Sequence, residues 1–385
     1  MSEHHHHHGH HHDDKKRPRE EAHKAAGEVS GHKSEQHDGA AAKKTRTAEV
    51  SSAVEGSKWA QLTGSTTVGD LVHHRITTRP RPTKPEEARD QHLVAIEGDF
   101  TVGAAMGLLA RHDLLSAPVI DPRSRRFLGF VDVLDITGYI LASYSAHSDD
   151  TNFLKKELLN EEVSHILNFS RCDDRVVIEE SKTLKDLIHL FCAPRFKHRL
   201  HRVAVTASPT SPDEAPSVTN VASLSDVVAL AVSQPDLLPP EKAKATVGAL
   251  KLVKPIIGVR MDSAVVDALD ILFHNKVSGI ALIDHSGRVT GNLSASDLRG
   301  LKPESFKYFE GSVLQFFVKG LPRVATGHER GPGRAPVTCT AEATLLECME
   351  LMVKEQIHRV YVVDNLDSLH IYGVVSMSDL IHHLK

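Results

Sequence analysis

The chain contains 385 residues, of which 40% are hydrophobic, and it carries a formal net charge of −4 at pH 7. This length provides for a sizeable core, and the slightly acidic balance argues against a general nucleic-acid or membrane-surface binder. No apolar run approaches the length of a membrane span, and no signal peptide is visible. The four cysteines, Cys172, Cys192, Cys339 and Cys348, have no CxxC spacing, which favours free thiols in a reducing compartment. We expect a cytoplasmic protein, with a nuclear location as the alternative.

The N-terminal segment, residues 1–64, differs from the rest of the chain. It holds eleven of the 27 histidines, equal numbers of acidic and basic residues, and almost no large apolar side chains. Such a segment cannot bury enough surface to offset the entropy of ordering, so we expect a disordered His-rich tail. Trp59, the only tryptophan, is expected to mark the start of ordered structure.

Two short features of this tail suggest functions of their own. The histidines could bind zinc, copper or nickel, but a solvated low-complexity tract explains them as well, because no fixed geometry is implied. The weak metal candidates are His4, His5, His6, His7 and His8. The basic cluster Lys15–Arg19 is a candidate nuclear localisation signal, a pattern that is also common by chance.

Four units are predicted after the tail, over residues 65–143 (unit 1), 160–235 (unit 2), 244–302 (unit 3) and 311–385 (unit 4). Each unit combines an amphipathic helix, two strands joined by a turn, and a closing helix, and in units 1, 2 and 3 a short strand precedes the first helix. Internal repeats of this kind define the architecture, which is therefore α+β with four repeats.

The predicted elements of units 1 and 2 follow this order. In unit 1 they are a strand at Leu93–Ile96, a helix from Val102 to about His112 capped by Thr101, strands at 117–121 and 127–131, and a helix at Leu134–Leu141. In unit 2 they are a strand at Arg175–Glu179, a helix capped by Thr183 and Asp186, strands at 201–206 and 218–222, and a helix that opens at Ser223. A Pro- and Ser-rich loop at 207–217 replaces the tight turn of unit 2 and is expected to be mobile and exposed.

Units 3 and 4 repeat the pattern. In unit 3 the predictions are a strand at Ile256–Val259, a helix with an apolar stripe from Val265 to Leu272, strands at 279–284 and 289–293, and a helix opened by Ser294–Asp297. In unit 4 they are a helix at Thr344–Glu355 with a Thr344/Glu347 capping box, strands at Arg359–Asp364 and Ile371–Val375, and a helix from Ser376 to Lys385.

A Ser-x-x-Asp or Asp-x-x-Asp element stands in every unit where the last strand meets the closing helix. A helix N-terminus attracts phosphate, and a carboxylate one turn further on can accept two hydrogen bonds from a ribose diol. In unit 4, His358 and Arg359 add donors that could reach a phosphate. Ser-x-x-Asp is also an ordinary capping box, but its recurrence in four units favours a binding role.

These motifs resemble four cystathionine-β-synthase (CBS) domains. The segment IHRVYVVDNLDSLHIYGVVSMSDLI of unit 4 is similar to the last repeat of the gamma subunit of AMP-activated protein kinase, and KVSGIALIDHSGRVTGNLSASDL of unit 3 resembles its third repeat. FLGFVDVLDITGYIL of unit 1 looks more like the plant-type gamma-like proteins of this group. The resemblance implies two tandem pairs (Bateman modules), units 1 with 2 and 3 with 4, with ligand clefts between paired repeats.

The resemblance also implies the site residues. In the resembled subunits the Asp holds a ribose, whereas Ser, His and Arg groups hold the phosphates of AMP, ADP or ATP. The best-matched site here comprises Ser376, Ser378 and Asp379 with His358 and Arg359, lined by Val277 and Ser278 of unit 3. A second site comprises Ser294 and Asp297, with His201 and Arg202 as candidate phosphate contacts. A third comprises Ser223 and Asp226, where the animal kinase subunit has a basic residue.

Unit 1 departs from the family pattern at Asp132, where Ser or Thr is usual. A carboxylate is a good helix cap, but it would repel a phosphate at ~4 Å by about 1 to 4 kcal/mol. We therefore expect no phosphate site at this cap, although Asp135 could still hold a ribose. His358 and His201 also have a simpler interpretation, as half-exposed spacers that precede strands.

Three functions follow from these observations. No P-loop, HExxH, GxSxG or kinase signature is present, so we expect no enzyme and no cofactor beyond the nucleotide ligand. The favoured hypothesis is a regulatory subunit that binds AMP, ADP or ATP and modulates a SNF1/AMPK-type kinase through its alpha and beta subunits, without contact to nucleic acid or membrane. The alternatives are a ligand-independent CBS scaffold, and a metal-handling protein that acts through the histidine tail.

Overall fold

The computed structural model describes residues 57–78, 93–146, 158–171, 175–194, 200–208, 217–299, 301–321 and 335–385. The metal candidates His4–His8, the basic cluster Lys15–Arg19 and Cys172 lie outside these residues. Among the described residues, no helix has the length and apolar character needed to cross a membrane.

The described chain begins with two helices, α1 (Lys58–Ser65) and α2 (Val68–Thr78). The Trp59 side chain is only 3% exposed, and its indole N–H donates a hydrogen bond of 2.8 Å to the carbonyl oxygen of Leu384. Trp59 is therefore part of the packed fold, whereas the prediction that it marks the start of order stays a prediction, because residues 1–56 lie outside the described part of the chain. The predicted boundary of the tail at residue 64 is wrong, because α1 already begins at Lys58. The buried indole of Trp59 connects this helix to Leu384, which is next to the last residue of the chain.

Each of the four units contains one three-stranded sheet, in which the first strand is parallel and the third antiparallel to the second. The elements of unit 1 are β1 (Ile96–Glu97), α3 (Val102–Arg111), β2 (Ser116–Ile120), β3 (Phe127–Asp132) and α4 (Val133–Ala146). Those of unit 2 are α5 (Val163–Ile166), β4 (Val177–Glu179), α6 (Leu184–Phe191), β5 (Arg202–Thr206), β6 (Val218–Ser223) and α7 (Leu224–Ser233). The predicted α+β class with four repeats is confirmed.

Units 3 and 4 follow a short connection that contains α8 (Pro240–Ala243). The elements of unit 3 are β7 (Gly258–Val259), α9 (Val265–His274), β8 (Gly279–Ile283) and β9 (Val289–Ser294). Those of unit 4 are α10 (Val313–Gln315), β10 (Thr338–Cys339), α11 (Leu345–Lys354), β11 (Arg359–Val363), β12 (Ile371–Ser376) and α12 (Met377–Leu380).

The closing helix of unit 4 is shorter than predicted, and that of unit 3 is no more than one turn. Unit 3 has a single 3-10 turn at Ala295–Leu298, and Lys302 is already extended because it precedes Pro303. In unit 4, α12 passes into a 3-10 turn at Ile381–His383 and does not reach Lys385. The predicted Thr344/Glu347 capping box is present at the start of α11.

The units are joined in pairs by an exchange of their opening segments. In the first pair, Thr67 forms a β-bridge with Thr183 of unit 2, and Glu162 forms one with Thr101 of unit 1. In the second pair the corresponding bridges are Thr246 with Thr344 and Ala264 with Ser312. Each unit therefore completes its neighbour in sequence, as expected for tandem pairs.

Helices of the first pair also pack against helices of the second pair. One core combines residues of units 1 and 3, and another combines α1 and α2 with units 2 and 4. Gly138 of α4 lies so close to Phe273 of α9 that an added Cβ would stand 2.0 Å from the ring. Every unit thus contacts one neighbour through its opening segment and another through its helices, and this arrangement brings side chains of all four units together.

Candidate functional site

All four Ser/Asp-x-x-Asp elements are capping boxes. In each unit the carboxylate of the second residue accepts the backbone N–H of the first. The N–H donors, acceptors and distances are Asp132 to Asp135 at 3.1 Å, Ser223 to Asp226 at 2.8 Å, Ser294 to Asp297 at 2.7 Å, and Ser376 to Asp379 at 2.9 Å. Capping therefore uses one carboxylate oxygen in every unit, and a ligand would have to bind the other.

The carboxylate of Asp379 has contacts both within unit 4 and to unit 3. It is 4% exposed, and its Oδ2 also accepts the Ser376 hydroxyl at 2.5 Å. Its Oδ1 contacts the ammonium group of Lys254 in unit 3, whose side chain is 45% exposed. A ribose that binds Asp379 would have to displace this lysine, which the sequence predictions did not include.

Asp135 is closed on all sides. It is 1% exposed, and its Oδ1 accepts the backbone N–H of Ser170 at 2.8 Å. Burial, with a smaller contribution from Asp132, raises the pKa of Asp135 to about 8. Because backbone groups engage both oxygens, a ribose could bind Asp135 only after these bonds broke, so the prediction of a ribose contact gains no support here.

Asp226 and Asp297 are half-buried and accept the hydroxyls of Ser223 and Ser294, both at 2.8 Å. Near the second of these, the Oγ atoms of Ser294 and Ser296 lie 2.7 Å apart. Both carboxylates are therefore positioned by their own capping serines, and the two predicted sites remain predictions.

Arg359 joins unit 4 to unit 3. Its Nη2 donates a 2.5 Å hydrogen bond to the hydroxyl of Ser278, which was predicted to line this site. The guanidinium lies over Gly279, where an added Cβ would stand 1.9 Å from Nη1. Val277, the second predicted lining residue, instead packs against the apolar core of units 1 and 3.

Asn292 and Tyr361 complete this contact, and the sequence predictions missed both. The phenol of Tyr361 donates a 2.6 Å hydrogen bond to Oδ1 of Asn292, which also lies 3.5 Å from Nη1 of Arg359. Burial raises the pKa of Tyr361 to about 12, so its hydroxyl stays protonated. An amide at an inward position of a strand was the available signal for Asn292.

His358 stands among three arginines of three different units. The residue as a whole is exposed, but the protein atoms around its ring shield the ring from water. This burial, together with the positive charges of Arg359, Arg202 and Arg299, lowers the pKa of His358 to about 4. We call Arg202, Arg299 and Arg359 the arginine cluster. His358 is neutral at pH 7 and can offer one donor and one acceptor to a ligand.

The structure groups His201 and Arg202 differently from the prediction, which placed both with Ser294 and Asp297. Nε2 of His201 lies 3.1 Å from Oγ of Ser378 in unit 4. Arg202 donates to Oδ2 of Asp132 in unit 1 at 2.5 Å. The reason is the packing of unit 2 on unit 4, which brings the start of β5 to α12 and which a local sequence pattern does not reveal.

Arg299 is a fourth residue of this region that the sequence predictions did not include. It is 7% exposed, and its Nη1 lies 2.7 Å from a carboxylate oxygen of Asp113 in unit 1. A buried arginine is costly unless it is paired, and this one lies two residues after Asp297 of the unit 3 capping box. The described residues contain no group of three or more His, Cys, Asp or Glu side chains that could hold a metal. The chemistry available at the cluster is thus the recognition of anions, with carboxylates nearby for a diol.

Comparisons with known proteins agree with this architecture. The family model of the CBS domain matches residues 247–303 and 332–385, which belong to units 3 and 4. The chain is 22% identical over 351 residues to a SNF1-related protein kinase regulatory subunit gamma-like protein of Arabidopsis thaliana, covering 85% of this chain and 91% of that protein. It is 23% identical over 299 residues to the 5'-AMP-activated protein kinase subunit gamma of Saccharomyces cerevisiae, covering 76% of this chain and 86% of the yeast protein.

Among solved structures, the fold is similar to that of a protein from Methanocaldococcus jannaschii described as an archaeal homologue of the AMPK gamma subunit. The TM-score is 0.59 at 15% sequence identity, and the similarity covers 78% of this chain and 99% of the archaeal one. The chain therefore contains CBS domains in units 3 and 4, its units 1 and 2 have the same sheet topology, and it is similar to the gamma regulatory subunits of SNF1-related and AMP-activated protein kinases.

Proposed function

We propose that this protein is a non-catalytic regulatory subunit that binds adenosine nucleotides between its CBS repeats and modulates a SNF1/AMPK-type protein kinase. The observation that carries the proposal is the arginine cluster, in which guanidinium groups of units 2, 3 and 4 all act electrostatically on His358 and two of them, Arg202 and Arg359, form contacts between units. Guanidinium groups are suited to phosphate because they present several donors in a fixed plane. The gamma subunits to which the chain is similar support the kinase as partner.

The mechanism of such a subunit is differential binding. A nucleotide can change the activity of a bound kinase only if it binds two conformations of the complex unequally. Contacts between units are suited to this role, because the phosphate would bridge residues that belong to different units. The preferred nucleotide and the contacts it makes belong to this proposal.

Isothermal titration of the full chain with AMP at physiological salt tests ligand binding. We expect saturable binding, and we expect Asp379→Ala to weaken it by roughly ten- to a hundredfold, because the ribose loses its acceptor. Asp367→Ala is the matched control, since Asp367 is an exposed residue of the turn between the last two strands of the same unit. Unchanged AMP affinity of the Asp379→Ala variant would mean that the carboxylate of Asp379 does not bind the ribose.

Kinase modulation needs a separate measurement. We expect the chain to co-purify with SNF1-type alpha and beta subunits, and the activity of the assembled kinase to change when AMP is added. Assembly without any response to AMP, ADP or ATP would contradict the regulatory proposal.

A ligand-independent scaffold is the second candidate, and specific contacts favour it. The Lys254–Asp379 and Arg202–Asp132 ion pairs already satisfy groups that a nucleotide would use. For a scaffold we expect co-purification with the kinase that is the same for wild type and for Asp379→Ala, with no heat of binding for any nucleotide.

A further inference from the structure

One position distinguishes the unit 1–2 pair from the unit 3–4 pair. In each sheet, the first residue of the second strand faces the capping residue at the end of the third. The facing residues are Ser116 with Asp132, Arg202 with Ser223, Gly279 with Ser294, and Arg359 with Ser376. Three of the four caps are serines, and Asp132 alone carries a charge.

The two arginines at equivalent positions meet different partners across the pair. Arg359 of unit 4 donates to the neutral hydroxyl of Ser278 in unit 3. Arg202 of unit 2 forms an ion pair with Asp132 of unit 1, in which the two side chains are only 20% and 15% exposed. In the unit 3–4 pair the cap of unit 3 is a serine, and Arg359 of unit 4 has a neutral partner. In the unit 1–2 pair the cap of unit 1 is Asp132, whose carboxylate neutralises the charge of Arg202 in unit 2.

Arg202 can nevertheless still donate a hydrogen bond to a further acceptor. Within the described part of the chain, its Nε is buried and has no hydrogen-bond partner, and its guanidinium lies 5.7 Å from the ring centroid of Phe130. A guanidinium presents five N–H donors, so a further acceptor could still be bound. Arg202 also acts electrostatically on His358, together with Arg299 and Arg359, and so belongs to the cationic surroundings of the proposed ligand.

The charge available at the arginine cluster is therefore smaller than its three cations suggest. Arg202 is paired with Asp132, and Arg299 is paired with Asp113, so unit 1 supplies two carboxylates against three guanidinium groups. A ligand with one phosphate adds little repulsion, whereas every additional phosphate has to face or displace a carboxylate that is already in place.

We propose that Asp132 is a specificity-determining residue, an internal carboxylate that takes the contact of Arg202 and makes the cluster favour adenosine ligands with one phosphate over those with two or three. This inference rests on the proposed function and adds to it the class of nucleotide that is selected. The selection arises in unit 1, which itself offers no open ribose-binding carboxylate.

The test compares AMP, ADP and ATP in titrations of wild type, Asp132→Ser and Asp132→Asn. Serine is the residue that the other three caps use, and asparagine keeps a side-chain cap without the charge. We expect ATP affinity to rise about tenfold or more in both variants and AMP affinity to change less than about threefold, because only the longer phosphate chain gains the released arginine. In the background of Arg202→Ala, the Asp132→Ser substitution should no longer change the ATP to AMP ratio.

The reciprocal substitution provides a matched variant in the other pair. Ser294→Asp places a carboxylate at the equivalent cap near Arg359, and we expect it to weaken ATP binding more than AMP binding. An ATP to AMP ratio that is the same in wild type, Asp132→Ser and Asp132→Asn would overturn the inference, as would a lower ATP affinity in both Asp132 variants. Thermal unfolding of each variant establishes that the compared proteins are folded.

Inorganic tripolyphosphate separates this inference from the proposed function. If wild type binds none of the three nucleotides, the proposed function fails, and the inference is judged on tripolyphosphate alone. Tighter binding of tripolyphosphate by Asp132→Ser than by wild type would then support the role of Asp132, and equal or absent binding would overturn it.

Discussion

The ammonium group of Lys254 in unit 3 contacts the second carboxylate oxygen of Asp379 in unit 4. Asp379 is nearly fully buried, whereas the lysine side chain is half-exposed. The other carboxylate oxygen caps the closing helix of its unit. The lysine therefore occupies the position that a ribose hydroxyl would need, and it can leave toward solvent.

Replacing this lysine tests whether it competes with the ligand. We expect Lys254→Met to raise AMP affinity about three- to tenfold, because the carboxylate no longer has to exchange a cation for the ribose. The free protein should lose about 1 kcal/mol of unfolding free energy, since the pair is partly screened by solvent. Titration and urea unfolding measure the two effects.

The matched control is Lys244→Met, which replaces the exposed first residue of unit 3 and for which both quantities should stay at the wild-type values. A fall in AMP affinity for Lys254→Met would show that the lysine contacts the ligand rather than competes with it.

The pH dependence of stability reports on His358. Its pKa is lowered from the ordinary value of 6.5 to about 4 in the folded protein. Between these two values the unfolded chain binds a proton that the folded protein does not, so the free energy of unfolding falls as the pH drops from about 6.5 to about 4. His358→Gln should remove this contribution, so the variant should lose less stability than wild type between pH 7 and pH 5.

Urea unfolding at both pH values measures the difference between the two proteins. The difference is needed because burial also lowers the pKa of His189 and His383, which contribute equally to both proteins. Parallel losses of stability in wild type and His358→Gln would contradict a lowered pKa of His358 in the folded protein.

Local patterns predicted most of the repeat. The amphipathic helix after Thr344 and the strand at Arg359 each carry their own periodicity and cap, and the structure places them within a residue or two of the prediction. The capping boxes were readable for the same reason, because Ser376 and Asp379 are only three residues apart. A local pattern is sufficient where the partner is also local.

Contacts between units could not be predicted in this way. Arg202 and Asp132 are 70 residues apart, and nothing in either segment indicates that unit 2 reaches back to unit 1 with this side chain. The repulsive effect of Asp132 on phosphate followed from its charge alone, whereas its ion pair depends on the packing. His201 lies beside Ser378 because the helices of unit 2 pack on unit 4, which repeat periodicity does not specify, and its predicted contact with a phosphate at the unit 3 site stays a prediction.

The packing of α4 on α9 can be tested at Gly138. An added Cβ would stand 2.0 Å from Phe273, so Gly138→Ala must push the ring or the helix aside. We expect a loss of about 1 to 3 kcal/mol in unfolding free energy, typical of overpacking. In the background of Phe273→Ala the same substitution should cost much less, because the ring is absent. Equal costs in both backgrounds, measured by urea unfolding, would mean that the two helices do not meet at this position.

Gly279 tests the placement of Arg359 separately from its charge. A methyl group at this position would overlap the guanidinium, whose nearest atom would be 1.9 Å away. The end of an arginine side chain is flexible, so we expect Gly279→Ala to displace Arg359 from Ser278 and to cost less than about 1 kcal/mol of stability. AMP affinity should fall about three- to tenfold, because the arginine is no longer held in position.

A double-mutant cycle with Arg359→Ala decides whether this loss acts through the arginine. If it does, Gly279→Ala should have no further effect on AMP affinity once Arg359 is removed, and the two single losses should not add. Additive losses would mean that Gly279 lies against the ligand itself and that the close approach of Arg359 has no part in binding.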